Sequence, residues 1–476
     1  MKRLLKKRDL GWFWRYETIA LVTTLAVSGA LIKPPILTTA GAPKLFSGAG
    51  RAQTKATASA RTEHRREQER QVHPENYDLR TFPIADHEEH WRNLLWTTAV
   101  VQPQETFVAT ALDQILALMV QPELSDGQLR TIDAAARVGT QLFLSHPKRY
   151  AQLGQRFEQV LAQSSDAEWV AISLAALAKS DLSPERKRQL MAIVQRRFPA
   201  WAQNLSLNTT IRDITAMLEP PPPPPLADLL NWTIAPNQLH LYVLCQPDRQ
   251  VLCRAVLKDA KGQFVRTKTG ELWTVPLLLR SIHHLSWNFI RGQTPQGIYR
   301  IEGIVPQPDD EYFRAYGQFA LVNLFLPFEP GVREFLPGQP GSFNGDLAAY
   351  QQRLPASWRQ HWGIQQSFWA GKIGRSEFRI HGSGDAPDFF SGKDKNPASY
   401  NWNPSIGCLS ALELYNEQGQ LIAADMPKLL NVLETIGGEN FSGYLIVVEV
   451  PHQSANQPIA LEQIEAAIAN KQPSNP

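Results

Sequence analysis

Six consecutive prolines, Pro220 to Pro225, divide this 476-residue chain into two stretches with different hydrophobic periods. A proline run has no backbone N–H to donate and fixes φ, so it continues neither a helix nor a sheet ladder. Upstream, from about Asp86 to Met217, apolar residues recur at three- and four-residue steps, as Phe107, Ala111, Ile115 and Leu118 do between Glu105 and Val120. Ser165 with Glu168 reads as a capping box ahead of Trp169 to Ala178, and Ser183-Pro184-Glu185 as the start of the next helix. Their short connection implies an antiparallel helical hairpin. Beyond Leu239 the period becomes that of strands. Leu239 to Leu244, Val251 to Leu257, Leu272 to Leu278, Ile298 to Val305 and Phe319 to Leu324 are apolar and bounded by Gly, Pro or Asp. Phe378 to His381 and Tyr444 to Val450 read as further strands, and Met426 to Thr435 as a helix. The expected fold is α+β and multidomain: an N-terminal all-α bundle or helical-repeat region, then a β-rich domain. The prolines would serve as a stiff spacer between the two.

The expected boundaries are a signal peptide or membrane anchor over 1–33 and a flexible linker over 34–85. A helical domain over 86–218, a proline-rich linker over 219–231, a β-rich domain over 232–452 and a C-terminal tail over 453–476 follow. The N-terminal reading rests on Lys2, Arg3, Lys6, Lys7, Arg8 and Arg15 ahead of an uncharged run from Thr18 to Ile32. Basic residues stay inside, so either form places the body at the cell envelope, on the periplasmic side, membrane-anchored or secreted. The inner membrane is then a partner through this segment. A formal net charge of +3 and no basic stretch interleaved with aromatics argue against nucleic acid. The helical region carries no chemical motif and suits spacing or binding a protein partner. His87-Glu88-Glu89-His90 has its histidines three residues apart, whereas the metalloprotease pattern sets them four apart on one helix face, and no metal or other cofactor is expected. Pro327 to Trp362, rich in Gly, Pro and Gln, is either a lid or a packed surface excursion.

Two segments carry chemistry: Ile380-His381-Gly382-Ser383-Gly384 and Pro404-Ser405-Ile406-Gly407-Cys408-Leu409. Cys408 is a candidate nucleophile and His381 its base, since an imidazole can take the thiol proton and hold the sulfur as an ion pair. Gly407 allows an unusual φ before the cysteine, and the N–H groups of Gly407 and Cys408 are candidate oxyanion donors. Ser405, Ser383 and Tyr400 are candidates to orient the imidazole. Arg379 and Arg291 suit peptide carboxylates, and Tyr400 with Trp402 an aromatic wall; Gly382 and Ser383 complete the candidate substrate contacts. Cys245 and Cys253 flank a turn and could pair across a hairpin, although two buried strand thiols is the simpler reading.

His381, Gly382, Ser405, Gly407 and Cys408 resemble the signature of the L,D-transpeptidase (YkuD-type) catalytic domain family. A second match lies at Gly292-Gln293-Thr294-Pro295-Gln296-Gly297-Ile298-Tyr299, similar to that family's Thr-Pro-x-Gly-x-[Tyr/Phe] turn. The resemblance covers about Trp232 to Pro451. It implies a β-rich L,D-transpeptidase-like catalytic domain acting on peptidoglycan stem peptides through a Cys408 thioester, without a cofactor. Ile406 stands where most of the family has a second histidine, and Ser410 where most have Arg or Asn. The chain therefore resembles an atypical member, with hydrolysis as an alternative to cross-linking. A non-catalytic peptidoglycan-binding envelope protein is the third reading.

Overall fold

The structure, a computed structural model, describes residues 58–247, 249, 251–306, 317–382, 404–416, 418–450 and 457–470. Ahead of the prolines come α1 (Ala58–Gln71), α2 (Glu88–Val101), α3 (Thr106–Leu116), α4 (Asp126–Ser145), α5 (Ala151–Gln163), α6 (Ala167–Lys179), α7 (Pro184–Arg197) and α8 (Leu205–Leu218). Their apolar stripes converge on one core in which Trp91, Tyr150 and Phe157 are wholly buried. Each such side chain stabilises the fold by roughly 1.5–3 kcal/mol. Ser183 caps α7 as expected, accepting from the Arg186 N–H with Pro184 in the first turn. The cap of α6 is Asp166 rather than Ser165, because its carboxylate accepts from both the Glu168 and Trp169 N–H groups.

The linker expected over 34–85 is corrected from residue 58 onward. Its arginines and glutamates fall at helical spacing, so Arg65 pairs with Glu69 at 3.0 Å and Arg70 with Glu67 and Glu63 along α1. Tyr77 is then buried, its hydroxyl 2.7 Å from that of Thr98. The signal or anchor segment lies outside the described residues; among those described, no helix is long and apolar enough to cross a membrane. His90 stacks on Phe82 and bonds the Asn76 carbonyl, while His87 bonds that of Pro83.

After the prolines, α9 (Leu226–Asn231) leads into β1 (Leu239–Cys245), β2 (Cys253–Lys258), β3 (Thr274–Leu277), β4 (Gly297–Val305) and β5 (Leu321–Phe325). Then follow α10 (Leu347–Gln351), α11 (Gln366–Ile373), β6 (Phe378–Gly382), β7 (Leu409–Ala411), β8 (Glu413–Tyr415), β9 (Leu421–Ala424), α12 (Met426–Gly437), β10 (Ser442–Glu449) and α13 (Leu461–Ala469). Eight strands form one sheet in the order β3-β2-β1-β10-β4-β5-β6-β7, with β8 and β9 as a separate ribbon. Leu278 and Ser410 exchange two backbone hydrogen bonds of 2.9 Å, which nearly closes the sheet from edge to edge. One face, with Val243, Tyr299 and Leu445, packs on α12; the other, with Tyr242 and Ile446, packs on the excursion from Pro327. Phe335, Phe343, Tyr350 and Trp358 of that excursion are buried in the second core, so it is a packed layer and not a lid.

Three more expectations are corrected. Cys245 and Cys253 form a disulfide: β1–β2 pairing, which sets Leu244 opposite Arg254, brings the two cysteines face to face at a Cα separation of 4.3 Å. The tail over 453–476 contains α13, whose Ile464 is buried in the sheet core and whose Glu465 pairs with Arg266. The prolines do not separate independent domains either, since 50–476 is one unit. Leu285 and Phe289, from the segment after β3, insert into the helical core. Asn288 donates to Thr209 and Thr210, Trp287 to Asp213, and Arg212 lies 3.9 Å over the Trp362 ring. The apolar insertion and the Asn288 bonds to Thr209 and Thr210 are buried on both sides, which removes the freedom a spacer would need.

Candidate active site

His381 is the fourth residue of β6, and Cys408 stands one residue before β7. The strands run parallel, with Ile380 opposite Leu409 and His381 opposite Ser410. That register sets Cys408 level with Arg379. Alternation sends Ile380 and Leu409 into the core and leaves Arg379, His381 and Cys408 together on the other face. The His381 ring is 4% exposed, and its Nδ1 lies 2.7 Å from the Gly382 carbonyl oxygen. A carbonyl only accepts, so Nδ1 carries the proton and Nε2 keeps the lone pair, the tautomer a general base requires. The Gly382 carbonyl thus orients the ring through Nδ1, while the Ser405 hydroxyl is committed to Gly407 and Cys408. Ser383, Tyr400 and Trp402 lie outside the described residues.

The turn before Cys408 is held from several directions. Gly407 has φ of +130°, and a Cβ there would lie 2.6 Å from Arg375 Nη2 and 2.9 Å from the Gly292 carbonyl oxygen. Only glycine fits both the conformation and the space. The Ser405 hydroxyl accepts from the Gly407 N–H at 3.1 Å and donates to the Cys408 carbonyl at 2.6 Å. This commitment corrects the expectation that the Gly407 N–H serves an oxyanion. Thr294 donates to the Gly407 carbonyl at 2.8 Å, joining the two sequence motifs directly. Gly297 is likewise forced: its φ is +127°, and a Cβ would meet Ser367 Oγ at 2.3 Å. Tyr299 closes the upstream motif by donating to the Pro295 carbonyl at 2.6 Å.

Arg375, which the sequence reading missed, is the central support. Its buried guanidinium donates to the carbonyls of Trp287, Gln293 (2.8 Å) and Gly292 (2.9 Å) and lies 4.7 Å over the Phe378 ring. Trp287 and Gly292 belong to the segment that inserts into the helical core, so the helices buttress the turn. Glu377 adopts a left-handed φ of +64°, uncommon for a non-glycine residue, and its carbonyl accepts from the Cys408 thiol at 3.7 Å. The buried Glu329 carboxyl holds that bend, accepting from the N–H groups of Glu377 and Leu326 at 2.8 Å each.

Burial dominates the electrostatics. It pushes the Cys408 thiol up from its ordinary value, against the Arg379 N–H and the guanidinium charges of Arg379 and Arg375, which favour the thiolate. Burial also lowers His381 to about 4, against its bond to Gly382. Both shifts favour the uncharged forms. Burial of this kind opposes the ion pair expected from sequence. Glu413 is a further buried group: its carboxyl is 0% exposed, and burial raises it to about 7. Its Oε1 accepts from the Tyr415 hydroxyl and from the Gln318 N–H at 2.6 Å, while Oε2 has no partner. A Cβ on Gly382 would lie 1.6 Å from that Oε2, so Gly382 is glycine because this carboxyl packs against its Cα.

The structure therefore brings Cys408, His381, Gly407, Ser405, Arg379 and Gly382 together. Arg291 is not with them: its guanidinium is buried toward Arg137 of α4, and burial lowers it to about 9. Among the described residues, no cluster of His, Cys, Asp or Glu suits a metal. No protein-family model matches the chain, and no curated protein and no solved structure does.

Proposed function

We propose that this protein is a cysteine-dependent acyltransferase of the L,D-transpeptidase type, acting on peptidoglycan stem peptides at the cell envelope. The observation that carries the reading is the bond from Thr294 to the Gly407 carbonyl, which unites two motifs distant in sequence around Cys408. His381, as the Nδ1–H tautomer, takes the thiol proton on Nε2 as sulfur attacks an amide carbonyl. A C–S bond forms, the C–N bond breaks, and the imidazolium returns its proton to the leaving amine. A second amine then attacks the thioester carbonyl, the C–S bond breaks, and the thiol is restored. Burial disfavours both charged forms, which suits proton transfer that accompanies attack.

Hydrolysis is the second reading, with water in place of the acceptor amine. It is favoured by Ser410, which is 1% exposed and bound through its backbone to Leu278, so it offers an acceptor strand no charged group. The test is mass spectrometry of products after incubating the full chain, or its Cys408→Ala variant, with purified tetrapeptide muropeptides. A dimer mass that vanishes in the variant is the expected result. Cys408-dependent loss of the terminal residue without dimers would replace transfer by hydrolysis. Identical products from both proteins would end the catalytic reading on this substrate.

A further inference from the structure

Between the helical bundle and the tip of the β1–β2 hairpin lies a cleft of about 330 Å³, large enough for a small molecule. Phe143, Leu144 and Pro247 supply an apolar wall, and Lys179, Arg249 and Arg280 a cationic one, with Asp181 at the margin. Cys408 does not line it.

Arg249 is the unusual member. A hairpin tip ordinarily sends an arginine into water, yet here the side chain is turned inward and 4% exposed. The Cys245–Cys253 disulfide closes the loop that carries it. Its Nε donates to Glu449 Oε1 at 2.7 Å, but Nη1 and Nη2 are buried without a hydrogen-bond partner. Leaving buried donors unpaired costs roughly 1–3 kcal/mol each, and more for a charged group. The two Nη groups form the fork that matches two oxygens of a carboxylate or phosphate. Glu449 faces Arg249, Asp213 and Glu449 both act on Lys179, and Asp181 stands at the margin, so an anionic group would be met by the Arg249 fork itself and not by a general excess of positive charge. Lys179 is exposed at the cleft, its Nζ donating to the His284 carbonyl at 2.9 Å, and Arg280 is half-buried in its wall.

We infer that this cleft binds a small anionic molecule, its carboxylate or phosphate group on the Arg249 fork and its apolar body against Phe143 and Pro247. The site is independent of the acyl-transfer reading. It would, however, sense the same framework, because Arg280 and Ser281 in its wall pair with Ser405 through backbone hydrogen bonds and a bridge.

The experiment is calorimetric titration of the full chain with N-acetyl-leucine, phenyl phosphate and N-acetyl-leucinamide, the last as the uncharged control. Saturable binding of at least one anion is expected, with none for the amide. Lys179→Ala should weaken it about fivefold and Arg249→Gln abolish it. Lys179 is a surface residue, so its variant carries the test should Arg249→Gln fail to fold. The tighter anion identifies the head group. No saturation by either anion, equal affinity for the amide, or affinity unchanged in Lys179→Ala would overturn the inference.

Discussion

His381 lies on a strand paired on both sides, and its ring is held by the carbonyl of the very next residue. Cys408 lies on a turn held by Thr294, 113 positions away, and by Arg375, whose own carbonyl partners are 82 to 88 positions distant. One arm of the candidate site is thus fixed by regular, short-range structure. The other depends on side chains converging from the upstream motif, from α11's C-terminal end and from the segment anchored in the helical core. The turn arm should fail when a distant support is removed, whereas the strand arm should register only changes made beside it.

Arg375→Met should have the largest effect. It leaves three backbone carbonyls without their donor, at roughly 3 kcal/mol in total after allowing for the relieved desolvation of a buried charge. A lower urea midpoint with unchanged slope checks it. Arg375→Lys should not restore stability, because one ammonium does not span carbonyls arranged for a guanidinium fork. Losing this charge should also move Cys408 alkylation to higher pH. In the parent protein that rate should already climb through and beyond pH 9 with no plateau near neutrality, given the direction of the thiol's shift.

This asymmetry also marks what the sequence reveals. The runs that became β1, β4 and β10 were legible because their apolar content and bounding Gly and Pro are local signals, and Ser183-Pro184 declared its cap for the same reason. His381 and Cys408 were legible through short motifs. Arg375 was not: nothing around Gly374-Arg375-Ser376 distinguishes a solvated arginine from one that meets carbonyls of Trp287, Gly292 and Gln293. Glu413 was equally hidden, because its burial follows from β8 passing beneath Gly382. The cap of α6 was missed by one residue, where serine and aspartate compete and only the geometry decides.

Glu413→Gln probes the strand arm. The carboxyl stands at about 7 in the folded protein against an ordinary 4.5, so the native state holds the proton more tightly. Its contribution to stability is complete below pH 4.5 and is lost as pH rises to 7, by linkage. Glutamine stays uncharged and its carbonyl oxygen can still accept from Tyr415 and Gln318. The variant should therefore gain on the parent across that window, by up to roughly 3 kcal/mol at about 1.4 kcal/mol per pH unit. Paired urea melts at pH 4.5 and 8 measure the change. An equal difference at both would show that the carboxyl ionises freely, and that Gly382 does not face a neutral acid.

Thr294→Val is the smallest and most selective test, because it separates the motif's bond from the motif's shape. Valine keeps the branched volume and removes only the hydroxyl, leaving the buried Gly407 carbonyl without its donor at 2.8 Å. The expected loss is about 1–2 kcal/mol, the cost of one unsatisfied buried acceptor. Ser405 and Arg375 remain, so the fold should persist while the turn loosens. On the acyl-transfer reading, activity should fall more than stability, since a nucleophile displaced by a fraction of an ångström loses its line of attack. Thr294→Ser, which returns the hydroxyl without the methyl, should recover most of the rate. Should valine and serine behave alike, the hydroxyl would be irrelevant, and Thr294 would serve the turn arm by packing alone.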